Sequence, residues 1–520
     1  MIFSAISWVD SAPVPRILPR MNFERKSGIL LHITSLPGRW GMGELGPQAR
    51  AFGEFLAAAG QKLWQILPTG PVGYGYSPYS SLSAFAGNHL LISFDELIEE
   101  GLLSCRILVH FPVFDSHQID FPSVIEAREK VLFRVAERFK STKDFTAFRE
   151  QERYWLDDYA LFMAIRESQQ NRPWTEWPDG LRDRDFHTLE KARRKLAKRI
   201  RCHEVLQYLF SKHWKKTAEF FQTLDISIIG DIPIFVAGDS VDVWANRELF
   251  FLKADGTASV VAGVPPDYFS ATGQRWGNPL YDWAAHRETG FAWWTNRLRR
   301  IFEMTDIVRI DHFRGFEDYW EIPADEPTAI KGRWVKGPGL ELFQTLERNL
   351  RKDSGRTFKL DEHVIAENLG IITDEVEALR EACGFPGMWV LQFRFSAEDL
   401  SRAGYHPEGV EKNWVVYTGT HDNDTTQSWL SQQNKSELQC IHDYLKTDGK
   451  ATHRDLAGLA LRAPAKWAVL PLQDVLGLGG EARMNMPGTT QGNWGWRVSE
   501  DMISQDAVEY LRAITEKNGR

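Results

Sequence analysis

The sequence predicts a parallel (β/α)8 barrel with large, mostly helical insertions, on three observations. Eight short apolar runs rich in Ile, Val and Leu recur along the 520 residues, most of them separated by stretches of helical periodicity. Several of those runs end in a carboxylate, at the strand end where barrel enzymes place their chemistry. The composition, 43% hydrophobic and 25% charged, is that of a globular chain long enough to bury a large core. About 150 residues per domain would give three domains, yet barrels with insertions run longer as one unit.

In order, the first four runs are "GILLHITSL" (28–36), "KLWQILP" (62–68), "ISIIGDIPIFVA" (226–237) and "DIVRIDHF" (306–313). The other four are "HVIAEN" (363–368), "MWVLQFRF" (388–395), "NWVVYTGTHDN" (413–423) and "WAVLPLQDVL" (467–476). Before them, Met21 opens "MNFERKSGILLHITSLPG" like the start of a folded domain. Residues 1–27 therefore read as a disordered leader, with the true start at Met1 or Met21. "MIFSAISWV" lacks a basic flank and meets Asp10 at once, so it is a poor signal peptide. Between the second and third runs lie about 150 residues of charged amphipathic pattern, such as "EAREKVLFRVAERF", too many for one crossover helix. They predict an inserted helical subdomain at about 70–222.

A second insertion, at about 238–300, contains "VVAGVPPDYFSATGQRWGNPLYDW" (260–283). Its density of Gly, Pro and aromatic residues predicts a rim loop over the barrel mouth rather than core. The barrel then occupies 28–500 and a tail helix 501–520.

Charge and cysteine content narrow the function. A net charge of −8 and a pI near 6.0 disfavour a polyanionic partner, so no nucleic acid is expected. The densest basic run, "KARRKLAKRIR" (191–201), carries apolar residues at helical spacing and reads as a solvated helix face. Cys105, Cys202, Cys383 and Cys440 lie far apart without CxxC or metal-ligand spacing, which suits a reducing, cytoplasmic setting. No apolar run reaches the roughly 18 residues of a membrane span.

"DIVRIDHFRGF" (306–316) places two charges in an apolar run. Side chains alternate across a strand, so Val308 and Ile310 point one way and Arg309 and Asp311 the other. In a barrel one face meets helices and the other the lumen, so the two charges form either a structural ion pair or an active site. Other strand ends repeat the pattern: Asp231 closes "SIIGD", Glu367 closes "VIAEN", and His421 with Asp422 closes "YTGTHDN". Carboxylates converging on one mouth, without a Cys or His cluster, suit cleavage of a glycosidic bond. One attacks the anomeric carbon, a second protonates the leaving oxygen, and anions stabilise the oxocarbenium-like transition state. An Arg beside the nucleophile, here Arg309, favours its charged form. Tyr79 in "YSPYSS" and Trp276 in "GQRWGNP" stand in loops, where flat rings can receive sugars. "THDND" has the oxygen content of a calcium loop but lacks the rest of that pattern. His363 and Glu367 are spaced like helical metal ligands, but the run between them reads as strand.

As a set, "GILLHITSLPG", "SPYSSLSAFAGN", "GDIPIFVAGDSVDVW", "VAGVPPDYFSATGQRWGNPLYDW", "RIDHFRGF", "GFPGMWVLQF", "YTGTHDNDTT" and "PLQDVLGLGGEARMNMPG…GNWGWR" resemble the 4-α-glucanotransferases (amylomaltase or disproportionating enzymes, glycoside hydrolase family 77) of the α-amylase clan. The resemblance runs from about Gly28 to Arg497. It implies Asp311 as nucleophile, Glu367 as general acid/base and Asp422 as the carboxylate that stabilises the transition state. It further implies Arg309, His312 and His421 around the donor sugar, Asp231 on the third strand, and Tyr79 stacked on that sugar. Gln274, Trp276 and Asp267 would belong to a cover that receives the glucan. The implied partners are α-1,4-glucans and maltooligosaccharides, with no cofactor or metal, and the protein a monomer or small homo-oligomer. The family usually shows "AEDLG" where this chain has "AENLG", so Asn368 removes a charge beside Glu367. Only about 45 residues follow the eighth strand, too few for the β-sandwich domain that amylases of the clan carry. An α-glucan hydrolase, and a non-catalytic glucan-binding protein, are the competing expectations.

Overall fold

A computed structural model of the protein describes residues 24–266, 270–354, 358–402 and 404–520. The strands in chain order are β1 (Lys26–Leu30), β2 (Leu63–Gln65), β3 (Ser227–Pro233), β4 (Val260–Val264), β5 (Gln274–Pro279) and β6 (Ile307–Asp311). They continue with β7 (Asp318–Pro323), β8 (Arg333–Lys336), β9 (Val364–Ala366), β10 (Gly387–Val390), β11 (Trp414–Tyr417) and β12 (Trp467–Pro471). Eight of these pair in the order β10-β11-β12-β1-β2-β3-β6-β9, all in parallel. The Ala366 N–H donates to the Pro386 carbonyl at 2.9 Å and brings the two ends of that order together. Each of the eight apolar runs supplies one of these strands, because a parallel barrel buries both strand faces and so demands continuous apolar sequence. Ile228, Ile229, Val308 and Ile310 are fully buried.

The strands are shorter than the runs. "NWVVYTGTHDN" is strand only over Trp414–Tyr417, and the rest turns into the mouth. At Gly28 the chains meet closely, since a Cβ there would stand 2.3 Å from the Leu63 carbonyl oxygen. Of the leader expected at 1–27, residues 1–23 lie outside the described residues, and Lys26 and Ser27 belong to β1.

Between β2 and β3 run the helices Phe121–Arg138, Lys143–Gln151, Arg153–Ser168 and Phe186–Thr223. The last is 38 residues long, and its N-cap Asp185 accepts from the Thr188 N–H at 2.8 Å, satisfying a donor the helix leaves free. It carries the basic run, and Arg199 there pairs with Glu167 at 2.8 Å and lies over the Phe133 ring. The same helix fastens the insertion to the barrel. Phe221 stacks on Trp64 at 4.7 Å, and Trp214 Nε1 donates to the Met304 carbonyl at 2.8 Å.

Residues 260–283, expected as a rim loop, instead hold β4 and β5. With β7 and β8 they make a four-stranded antiparallel sheet, ordered β5-β4-β7-β8. Its turn formers Pro265, Pro266 and Gly273 sit between the strands, and Val261, Ile322 and Ala329 form a small core of its own. A sheet covered on one face tolerates the polar and Gly-rich alternation that argued against strand.

Candidate active site

The ladder between β3 and β6 pairs Asp231 with Arg309 and Pro233 with Asp311, and that between β6 and β9 pairs Ile310 with Ala366. Asp231, Arg309, Asp311 and Glu367 thus reach the C-terminal mouth from three adjacent strands. The guanidinium of Arg309, 3% exposed, organises them. Its Nη1 donates to both oxygens of Asp231 at 2.9 and 2.8 Å, and its Nη2 to Asp311 Oδ1 at 2.8 Å. Its Nε points at Met388 Sδ, 3.2 Å away. Burial disfavours a charged guanidinium, but Asp231 and Asp311 outweigh it, and Arg309 stays a cation. Asp231 is sealed below, taking a third bond from the Tyr79 hydroxyl at 2.7 Å. The Asp311 carboxylate is 30% exposed and faces the cleft.

Glu367 is held differently. Its Oε2 accepts from the His312 N–H and its Oε1 from the Leu369 N–H, both at 2.7 Å. Burial and the charge of Asp311 push its carboxyl up to about 7, against Arg309 and those two donors. His312 delivers its N–H from a left-handed conformation, φ 56°, which costs a non-glycine residue energy and marks a backbone bent to a task. Burial lowers the His312 imidazole to about 4, so it is neutral, and its Nε2 is buried without a partner. The Trp276 ring meets it edge-on at 4.7 Å.

Across the mouth, Asp422 Oδ1 accepts from Asn485 Nδ2 at 2.6 Å, and Arg483 Nη2 donates to the Asp422 carbonyl at 2.9 Å. His421, lowered by burial, stacks on Tyr79 at 5.1 Å with the planes 16° apart. Two residues of the "THDND" turn, Asn423 and Asp424, direct side-chain oxygens to donors close by in the chain. Asn423 Oδ1 accepts from Thr420, while Asp424 accepts from Thr425, Ser428 and Gln432 around the start of the helix Thr426–Gln432. His363 stands at the foot of β9 with Nδ1 on the Asp306 carbonyl at 2.8 Å, a strand's length from Glu367.

One cleft of about 790 Å³ joins Tyr79, Gln274, Trp276, Arg309, Asp311, His312, Glu367, His421 and Asp422. Asp231 lies beneath it, and Asp267 lies outside the described residues. The cleft also uses residues the sequence reading passed over: Asn485, Arg483, Trp494, Gln392 and Phe393. Asn485 and Trp494 sit in the Gly- and Pro-rich stretch after the last strand, and turn formers at a barrel mouth were the available signal. Asn368 does not face the cleft. Its amide bonds to Glu377 and to the backbone of Met388.

Fold and site together define a barrel enzyme that works on its substrate with carboxylates set in unlike surroundings. The family model described as glycoside hydrolase family 77, 4-alpha-glucanotransferase, matches residues 31–503. A 4-alpha-glucanotransferase of Thermus thermophilus is 45% identical over 513 residues, covering 96% of this chain and 100% of that protein. One of Synechocystis sp. is 44% identical over 505 residues, covering 96% and 98%. The amylomaltase from Streptococcus agalactiae, solved in complex with acarbose, superposes with a TM-score of 0.90 at 38% identity over 96% of this chain and 100% of that one. The chain belongs to the 4-alpha-glucanotransferase family, glycoside hydrolase family 77.

Proposed function

We propose that the protein moves α-1,4-glucan segments from a donor to an acceptor glucan or glucose by double displacement, with Asp311 as nucleophile and Glu367 as acid/base. The observation that carries this reading is the contrast between two carboxylates on neighbouring strand ends. Asp311 is tied to a cation and open to the cleft. Glu367 is buried, with its proton affinity raised to about 7. The two residues stand side by side at the ends of adjacent parallel strands, β6 and β9, and line the same cleft.

In the first step Asp311 forms a bond to C1 as the glycosidic C–O bond breaks, and Glu367 gives its proton to the departing oxygen. A covalent glycosyl-enzyme results. In the second step Glu367, now a base, takes the proton of an incoming 4-hydroxyl, whose oxygen displaces Asp311 from C1. Asp422, held by Asn485, binds sugar hydroxyls and stabilises positive charge at the ring. Tyr79, whose hydroxyl is held in its protonated form by burial and Asp231, presents its ring to the donor sugar. Neutral His312 and His421 serve as hydroxyl partners. Trp276 and Gln274, bonded to each other at 3.2 Å, receive the glucan chain at the rim, and Asp267 belongs to the same cover. The four cysteines are unpaired, in keeping with a cytoplasmic setting.

The test is incubation of the purified protein with maltotriose alone and analysis of products by mass. Glucose with a ladder of chains longer than the substrate is the expected result. Glucose and maltose without longer chains would instead assign a hydrolase, and unchanged maltotriose a binding protein.

A further inference from the structure

Asn368 follows the proposed acid/base in the chain and is 7% exposed. The Met388 N–H donates to its Oδ1 at 2.8 Å, which fixes the orientation of the amide. Its Nδ2 therefore faces Glu377, and donates to Oε1 at 2.6 Å. Glu377 Oε2 accepts from Arg380 Nε at 2.7 Å, and Arg380 Nη1 donates to the Phe385 carbonyl at 2.8 Å. The amide lies flat on β10, since a Cβ on Gly387 would stand 2.9 Å from Nδ2. One side chain thus ties the end of β9 to β10 and to the helix Asp374–Cys383. On either side of it are groups the reaction needs: the Leu369 N–H bonded to Glu367, and Met388, whose sulfur meets Arg309 Nε. The charged groups linked to this position are Glu377, Arg380 and Glu381 on the helix and Glu367, Arg309 and Asp311 on the barrel side.

We propose that Asn368 is a positioning residue for Glu367, a neutral donor that holds the acid/base loop against Glu377 without needing a proton of its own. The inference rests on the acid/base reading of Glu367. A carboxyl at this position could still accept from Met388, but it would reach Glu377 only by carrying a proton. Two carboxylates at that distance cannot both be ionised without parting. The amide removes this titration, so the loop keeps one geometry while Glu367 cycles between acid and base.

The test compares pH profiles of kcat and KM for the parent, Asn368→Asp and the double variant Asn368→Asp/Glu377→Gln. In the double variant the bond is remade with reversed polarity, the introduced amide on the helix donating to the introduced carboxylate beside Glu367. Asn368→Asp should stay within about twofold of the parent kcat near pH 5.5, where the pair shares a proton, and fall about tenfold below it near pH 8, with KM little changed. The double variant should recover the parent kcat near pH 8. A profile for Asn368→Asp that superimposes on the parent's would overturn the proposal. So would a loss uniform across pH that follows a fall in Tm, or one the double variant leaves uncorrected. Glu367→Gln, measured alongside, separates the two readings. If it stays active, the acid/base assignment fails; if it is inactive while Asn368→Asp matches the parent, only the positioning role fails.

Discussion

At the scale of single residues, Arg309 determines what its neighbours do. Its Nη1 goes to Asp231 and its Nη2 to Asp311, so one carboxylate becomes a buried anchor and the other is fixed at the edge of the cleft, partly open to it. Replacing Asp311 by Asn keeps the shape but removes the anion, and kcat should fall by about four orders of magnitude or more while glucan binding persists. Rapid-mixing kinetics and isothermal titration with maltooligosaccharide check the two halves of that statement. For Glu367 the sign is set by its raised affinity for protons. The acid form exists below about pH 7, so kcat/KM should decline as pH rises through that value. The same shift means the folded state binds this proton more tightly than the unfolded one. Its contribution to stability is complete below the ordinary carboxyl value of 4.5 and is lost as pH climbs toward 7. Tyr79→Phe deletes one of the bonds to Asp231 and should cost about 1–3 kcal/mol of stability, read by denaturant unfolding.

At the scale of elements, what was legible in the sequence follows from burial. Strands covered on both faces cannot hide their apolar runs, so β3, β6 and β12 were visible, and so were the charges at the ends of β3, β6 and β9. The antiparallel strands β7, "DYWEIP", which mixes buried with half-buried positions, and β8, "RWVK", which is exposed apart from a half-buried Val335, left no such run. Asn485 was hidden for another reason. It meets Asp422 from 63 positions away in the chain, and spacing says nothing about which loop tips converge. The left-handed turn at His312 was hidden too, since nothing in "RIDHFRGF" announces that a His N–H will face the next strand's carboxylate. Two predictions belong at this scale. Gly28→Ala forces a methyl onto the Leu63 backbone and should destabilise the β1–β2 pairing by about 1–3 kcal/mol, seen as a lower Tm. Trp276→Ala at the rim should raise KM for long glucans more than for maltotriose, because it removes a ring beside His312 without touching the carboxylates.

At the scale of the whole molecule, the two ends of the described chain meet. Arg520 donates to the carbonyls of Leu461, Ala463, Ala465 and Lys26, and Arg25 to those of Leu461, Ala463 and Asn518. Arg520→Ala should cost on the order of 2 kcal/mol by stranding part of that set, lowering Tm with the ladder of products unchanged. The barrel itself comes together between β9 and β10, where the Ala366 N–H reaches the Pro386 carbonyl. A hoop under load gives first at its seam, and here the seam lies next to the residue proposed to trade protons with the sugar. Breathing of the cylinder should then be concentrated where the proposed reaction has a departing chain leave and a new one enter. The amide of Ala366 should exchange its hydrogen sooner than that of Val308, which donates to the His363 carbonyl within the continuous pairing of β6 with β9, and a bound oligosaccharide should slow the first far more than the second.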